Sequence, residues 1–416
     1  MTINKQPVEQ KRLFVYIETE VQFDAIMPLL IHLRDVRKIS FDIIVPVDEN
    51  GENMEIYNET AKLIQRSGFK IERGILDRIK KRKYQILLSS YIYNWLYNEI
   101  KAKYFIQYAY GSYYFNKPNW TVDRLLTGEY MADAVLSHAV GTQDAVNVVS
   151  KSYITPELRF SDFRKKVRKN GEKPTLFFVT TYNDMAFAVR LLEVVDELKK
   201  KYRLIFHGHH RAVHVHANKE LTERLYDKAD RVYDSEQTMK APLEDADIVL
   251  SDNSSAFLEA ISVGIPVALF SRNLNAFKYR EINAIQYDLV QNGDILWTDD
   301  PKKLLRILDQ TLTGPMLKRQ SEMSAKLFPE KFSDPVGRYM EILDIYLEDK
   351  LPPEYHLVKK YWVERINGLV IGNDEKRDRI EYLESEMASL LGIGRSARLL
   401  ASNIKRHIMK GEKGNR

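Results

Sequence analysis

The sequence predicts an α/β chain of two successive strand-helix units facing a common cleft and followed by a helical extension. Three observations carry this. Short apolar, β-branched runs alternate with helical periodicity, stop, and then start again. At 416 residues the chain exceeds one hydrophobic core, and two units of about 150 to 200 residues are the ordinary partition. A polar Ser/Asp/Asn turn joins a strand to a helix in the second unit, at the strand edge where such folds hold ligands.

Leu13 to Ile17 is a β-branched and aromatic run of buried-strand length. Ile26, Leu29, Leu30 and Leu33 follow at helical spacing and Phe41 to Val45 is the next strand, so the chain opens as βαβ. A polar helix over 53–66 stopped by Gly68, strands over 85–88 and 104–108, and a strand over 134–136 ending at Ser137-His138 continue the unit. Strands separated by helices imply a parallel sheet with its crossovers on the faces. Pro156 and the charged stretch 164–173 mark a boundary. Beyond it come strand 175–179, helix 185–199, strands 203–206 and 248–250, helix 255–263 and strand 267–270. Past Pro301 the pattern is helical, broken at Pro352-Pro353. The expected partition is 1–160, 161–350 and a helical extension over 351–416.

Hydrophobic residues at 44% and charged residues at 29% supply two cores and exclude a disordered chain. The absence of cysteine excludes a disulfide framework, a zinc-thiolate site and a cysteine nucleophile, and suits a reducing compartment. Residues 1–11 lack the apolar core of a signal peptide, and no apolar run reaches the roughly 18 residues of a membrane span, so a cytoplasmic protein is expected. A net charge of +5 is too modest to imply nucleic acid as a partner. Much of it sits at the end, where residues 395–416 hold seven basic side chains against the single acid Glu412. Ile393, Leu399, Leu400, Ile404 and Ile408 lie among them, so 391–410 reads as an amphipathic basic helix. It suits an anionic membrane surface, a solvated terminal helix or an oligomer contact. Ile380, Leu383, Met387 and Leu390, at helical spacing just before it, permit self-association into a homo-oligomer.

The segment from Asp247 to Val267 reads strand, polar turn, helix, glycine stop, strand. Ser254 can cap the helix, and the amides of its first turn with the hydroxyls of Ser254 and Ser255 make a place for a phosphate. Ser251 and Asp252 belong to the same turn. Glu259, one turn in, can accept hydrogen bonds from vicinal ribose hydroxyls, although a plain helix cap and a solvated glutamate fit the same residues. Thr180 and Arg272, just past strands of this unit, are further expected donor contacts. His207, His209, His210, His214 and His216 are five of the nine histidines within ten residues. They fit a metal site, a phosphate contact by His209 or His210 with Arg211, or incidental surface positions. Tyr110, Tyr113 and Tyr114 beside Gly111 either line an acceptor cleft or pack in a core.

Ser251-Asp252-Asn253-Ser254-Ser255, followed by a helix and a short strand, resembles the Ser-Asp-x-Ser-Ser donor-site motif of the bacterial CDP-glycerol glycerophosphotransferases of teichoic acid and capsule synthesis, which have the GT-B fold. Other GT-B glycosyltransferases and the UDP-sugar 2-epimerases have related arrangements. Residues 174–182 resemble the strand that opens the family's second domain, Leu204 to His210 its strand ending in a functional histidine, and 279–289 the segment closing its donor site. Ile106-Gln107-Tyr108-Ala109-Tyr110-Gly111 is similar to its Ile-Gln-x-Trp-His-Gly, but Tyr110 stands in place of the histidine that serves the family as base. Tyrosine, with a pKa of about 10, is a poor substitute. The base then falls to His138 after a first-unit strand, or to an acid after the first strand, Glu18 or Glu20.

The resemblance implies two Rossmann-like domains around a cleft and a transferase without metal or cofactor, its nucleotide-diphosphate donor being a substrate. A glycerophosphate-like or glycosyl group would move to a hydroxyl of a cell-envelope polymer or lipid-linked acceptor. His209 and Arg211 would offset phosphate charge, while helix amides and cations stabilise the leaving nucleotide. A nucleotide-sugar epimerase or hydrolase of the same fold, and a non-catalytic nucleotide-binding subunit of an envelope-assembly complex, are the alternatives. A lipid-linked acceptor would suit a tail lying on the inner membrane face.

Overall fold

The computed structural model describes residues 12–46, 54–72, 80–109, 131–138, 150–180, 185–208, 216–233, 239–252, 254, 256–272, 284–328, 334–352, 354–356, 358–361 and 363–364. Two sheets organise them. The first contains β1 (Arg12–Tyr16), β2 (Ser40–Ile44), β3 (Ile71–Glu72), β4 (Lys83–Ser89), β5 (Lys101–Tyr108), β6 (Ala134–Ser137) and β7 (Lys151–Ile154) in the order β3-β2-β1-β4-β5-β6-β7. The second contains β8 (Thr175–Val179), β9 (Arg203–His207), β10 (Arg231–Tyr233), β11 (Ile248–Ser251), β12 (Val267–Phe270) and β13 (Leu296–Thr298) in the order β10-β9-β8-β11-β12-β13. Every pairing in both sheets is parallel.

A parallel sheet covered on both faces needs near-continuous apolar central strands, and four of the five residues of β1 and of β8 are apolar. In β1, Leu13 and Val15 enter the core on one face while Phe14 and Tyr16 enter the core on the other. In β8, Phe177 and Val179 alternate in the same way with Leu176 and Phe178. β3, β7, β10 and β13, which the sequence pattern misses, are two to four residues long and only partly buried. Short outer strands are a common way of blunting a sheet edge.

Five helices bear on the site: α1 (Glu20–Asp35), α2 (Met54–Arg66), α3 (Ala256–Ser262), α4 (Gly314–Leu327) and α5 (Pro335–Leu347). Thr19 starts α1 with a capping box: its hydroxyl accepts from the Gln22 amide, and the Gln22 side chain accepts from the amides of Glu18 and Thr19. α3 ends at Gly264, whose φ of +78° is the left-handed value that stops a helix cheaply only at glycine. The span expected as one helix over 185–199 is instead a helical turn, a 3-10 segment and the helix Val195–Lys201.

The chain passes twice between the sheets. A short turn, Leu158–Phe160, leaves β7 and packs against α1. α5, although it follows the second sheet in sequence, returns to the first core with Tyr339, Met340, Ile342, Leu343, Tyr346 and Leu347. Arg37 pairs with Asp344 through two hydrogen bonds of 2.8 and 3.0 Å, and Gln85 donates to the Tyr346 carbonyl at 2.8 Å. The segment after it also docks on the first sheet: Val363 joins the core on the sheet's other face, with Phe14 and Tyr16, and buried Lys359 donates to the Ala132 carbonyl and to Ser150 Oγ. The expected docking helix over 380–391 and the basic helix over 391–410 lie outside the described residues. No described helix is long and apolar enough to cross a membrane.

Candidate active site

In each sheet the winding reverses next to the first strand, between β1 and β4 and between β8 and β11. Crossovers leave these points on opposite faces, which opens a crevice at the carboxyl edge. Tyr16 registers with Ser89 in the first sheet, so Glu18 and Ser90 stand at its crevice. Val179 registers with Ser251 in the second, so Thr180 and Asp252 stand at the other. The Ser/Asp/Asn turn noted in the sequence is thus the turn at the switch point.

Within the second crevice Ser251 is completely buried and its Oγ has no hydrogen-bond partner. Asp252, also buried, accepts from the Ser254 amide at 2.8 Å, and Ser254 Oγ accepts from the Ala256 amide at 3.2 Å. The cap on Ser254 is therefore present, but it occupies two of the amides that a phosphate would need, and Asp252 adds negative charge beside them. Asn253 and Ser255 lie outside the described residues. Thr180 is buried and donates to Met185 Sδ at 3.4 Å. Arg272 is exposed, its guanidinium 5.9 Å from the centre of the Phe187 ring.

His207 ends β9 and is buried, whereas His209, His210, Arg211 and His214 lie outside the described residues, as does the side chain of His216. A Cβ on Gly208 would lie 2.5 Å from Tyr226 Oη, so a larger residue there would require the tyrosine side chain to shift. Among the described residues no group of three His, Asp or Glu side chains is arranged to hold a metal. The one Asp-x-Asp triplet, Asp245-Ala246-Asp247, precedes β11 and so lies at the sheet edge away from the crevice, where Lys166, Arg203, Arg231 and Lys165 pair with it.

Glu259 is not the solvated residue of the plain-cap alternative. It is buried, with Oε1 ion-paired to Arg159 at 2.8 Å and Oε2 without a hydrogen-bond partner. Arg159, with a 2% exposed side chain, comes from the turn between the sheets and also pairs with its near neighbour Glu157. Asp24, on the second turn of α1, adds a third negative charge to the group. Arg159 thus ion-pairs with the helix that leaves the second switch point and acts electrostatically on the one that leaves the first. Burial raises the pKa of Glu259 to about 7, with Glu157 and Asp24 adding to the rise and Arg159 opposing it. Asp24 is raised to about 6 for the same leading reason, again against Arg159. Sequence reading missed Arg159 because a single arginine in a linker has no periodic or motif signature.

At the first crevice Glu18 is held from both sides. Oε1 accepts from Tyr16 at 3.2 Å, and Oε2 accepts from Tyr93 at 3.0 Å and from Gln22 Nε2 at 3.4 Å. Burial, with the charge of Glu18, pushes both tyrosine hydroxyls well above their ordinary pKa, so they remain donors. Glu20 opens α1 and is half-buried. The expected acceptor-side residues Tyr110, Gly111 and Tyr113, with Tyr114, lie outside the described residues.

His138 follows β6 and is buried. Its Nδ1 lies 3.1 Å from the Thr155 carbonyl, which can only accept, so Nδ1 carries the proton and Nε2 carries a lone pair. Nε2 is buried without a hydrogen-bond partner. Burial lowers the pKa of the ring, outweighing the opposite pull of Glu157 and of the Thr155 and Ala109 carbonyls, while Arg159 reinforces it. His138 and Glu157 border a cavity of about 550 Å³ completed by Ile261 to Pro266 at the far end of α3 and by α4. That cavity touches none of Thr180, Ser251, Asp252, Ser254 and Arg272. It opens at the opposite end of α3 from Ser254, about 10 Å along a seven-residue helix. Glu18 therefore stands at a switch point, whereas His138 faces a separate hollow beside the linker.

No protein-family profile matches the sequence, and no curated protein matches it. Solved structures do match. A Listeria monocytogenes protein assigned as a UDP-N-acetylglucosamine 2-epimerase aligns over 83% of this chain and 98% of its own, at 12% identity and a TM-score of 0.56. S. aureus MnaA, solved with UDP, aligns over 81% and 97% at 10% identity and a TM-score of 0.52. The wall teichoic acid polymerase TagF, soaked with CDPG, aligns over 82% and 88% at 11% identity and a TM-score of 0.50. At such identities the likeness speaks for architecture alone, and it agrees with the strand orders above: the chain has a GT-B-like fold of two parallel α/β sheets.

Proposed function

We propose that this chain transfers a glycosyl or glycerophosphate-like group from a nucleotide-diphosphate donor to the hydroxyl of a cell-envelope polymer or lipid-linked acceptor. The observation that supports it best is the second switch point itself, where the buried Ser251 Oγ is unpartnered and the helix that follows carries Glu259, its Oε1 held by Arg159 and its Oε2 unpartnered. Unpaired buried oxygens cost free energy unless water or a ligand satisfies them. Solved structures of the same architecture, with UDP in MnaA and CDPG in TagF, agree with a nucleotide as the ligand.

In this reading the pyrophosphate lies at Ser251 and Ser254, with Ser255, His209, His210 and Arg211 supplying further donors and positive charge, and Thr180, Asp252 and Arg272 bordering it. Glu259 receives the ribose. The acceptor oxygen forms a bond to the anomeric carbon or the phosphorus of the donor. The bond from that centre to the leaving phosphate oxygen breaks, and its electron pair departs with the nucleotide. The acceptor proton passes to Glu18, which two tyrosines and Gln22 hold at the opposite crevice. His138 is the competing base, with a free Nε2 but a place off the crevice.

Calorimetric titration with CDP-glycerol, CDP, UDP and UDP-sugars tests the donor assignment. One nucleotide should bind selectively, and Ser251→Ala/Ser254→Ala should weaken it about tenfold. With the donor known, Glu18→Gln should lower kcat by about 10² or more, and His138→Asn by far less. Binding without any acceptor-dependent product, but with rearranged or hydrolysed donor, would move the assignment to an epimerase or hydrolase. Absence of nucleotide binding would end the donor reading.

A further inference from the structure

Arg159 does not resemble a structural ion-pair residue of the ordinary kind. A single guanidinium is ion-paired to two carboxylates, Glu157 on its own turn and Glu259 on α3, and feels the charge of a third, Asp24 on α1, on which Lys240 and Asp162 also act. His138 feels both Glu157 and Arg159. A group with that excess of negative charge is an expensive arrangement if its only purpose is to join two helices. The geometry is also lopsided. The guanidinium takes one oxygen of Glu259 at 2.8 Å and leaves the other buried and unpaired.

We propose that Arg159 is a positioning residue for the nucleotide ribose: by fixing Oε1 of Glu259 it aims Oε2 at the vicinal hydroxyls of a donor in the second crevice. The proposal rests on the nucleotide-donor reading of that crevice. Arginine suits the task because its planar fork can hold two carboxylates in one fixed plane, which a lysine point charge cannot. Since the same guanidinium belongs to the linker, the ribose contact is completed from outside the helix that carries Glu259. The sequence motif around Ser254 then specifies only part of the donor site, and the linker supplies the residue that orients the rest.

The test compares UDP and CDP with their 2′,3′-dideoxy forms, by calorimetry, on the full chain. Wild type should prefer the ribonucleotide by about tenfold or more, as expected for a hydrogen bond to a charged acceptor. Arg159→Lys, which keeps the charge, should reduce this preference several-fold. Glu157→Gln/Arg159→Met, which removes opposite charges together, should abolish it by lowering ribonucleotide affinity more than dideoxynucleotide affinity. A merely structural role would weaken both nucleotide forms alike and leave their ratio intact, so an unchanged ratio in both variants overturns the proposal while the donor reading stands. Failure of wild type to bind any nucleotide overturns both. A wild type that binds nucleotides but shows no ribose preference overturns this one alone.

Discussion

The two switch-point crevices belong to sheets of nearly the same strand order, yet they are furnished in opposite ways. In the first, every oxygen of Glu18 has a donor, and the carboxylate is fixed by Tyr16, Tyr93 and Gln22 before any ligand arrives. In the second, Ser251 Oγ and Glu259 Oε2 are buried and unpaired, although Asp252 and Ser254 fasten the turn between them. A site that must act on a reacting atom gains from side chains locked in advance, and a site that must receive a ligand gains from polar atoms that only the ligand completes. The contrast is the one the proposed function requires, with chemistry at the first sheet and donor binding at the second.

Breaking the link between the crevices should have the largest effect. Arg159→Met leaves Glu157, Glu259 and Asp24 buried around a missing cation, and should cost about 3–5 kcal/mol in urea unfolding. Glu157→Gln/Arg159→Met should recover part of that loss, and no recovery would mean that the charges are not coupled.

The same group predicts a pH dependence. The pKa of Glu259 rises from 4.5 to about 7 on folding and that of Asp24 from 3.8 to about 6. The folded state therefore holds more protons than the unfolded chain between about pH 4 and pH 7, and the contribution of these groups to stability falls as pH rises through that window. The difference in urea midpoint between Glu259→Gln and wild type should consequently shift in favour of the variant from pH 5 to pH 8. A constant difference would contradict the burial of an ionisable Glu259.

Smaller effects separate the cap from the unpaired hydroxyl. Ser254→Ala removes the acceptor for the Ala256 amide and should destabilise by about 1 kcal/mol. Ser251→Ala removes a buried oxygen that has no partner, and should change stability by no more than about 0.5 kcal/mol while still weakening nucleotide binding. If Ser251→Ala proved as destabilising as Ser254→Ala, the second crevice would be internally satisfied after all and the contrast with the first would weaken.

The alternation of strands and helices was legible because it is repeated and local. Leu13 to Ile17, Thr175 to Val179 and Val267 to Phe270 are strands in the structure much as their β-branched and aromatic runs require. The turn at Ser254 and the stop at Gly264 were legible for the same reason, since a cap and a left-handed glycine act on neighbours within one turn. Glu259 was half legible: its place in the helix follows from spacing, but its burial does not. Outer strands such as Ile71–Glu72 and Arg231–Tyr233 were not legible, because two or three residues carry no usable period and owe their pairing to a neighbour strand.

Sequence by itself therefore determined two doubly wound units, the switch-point turn and the chemical character of its residues, all of which arise from interactions within a few positions. Only the tertiary structure decided that α5 returns to the first core, that Tyr16 and Tyr93 converge on Glu18, and that Arg159 reaches both Glu259 and the neighbourhood of Asp24. Those contacts join residues far apart in the chain, and the low-dielectric packing that makes them matter exists only once both sheets have formed.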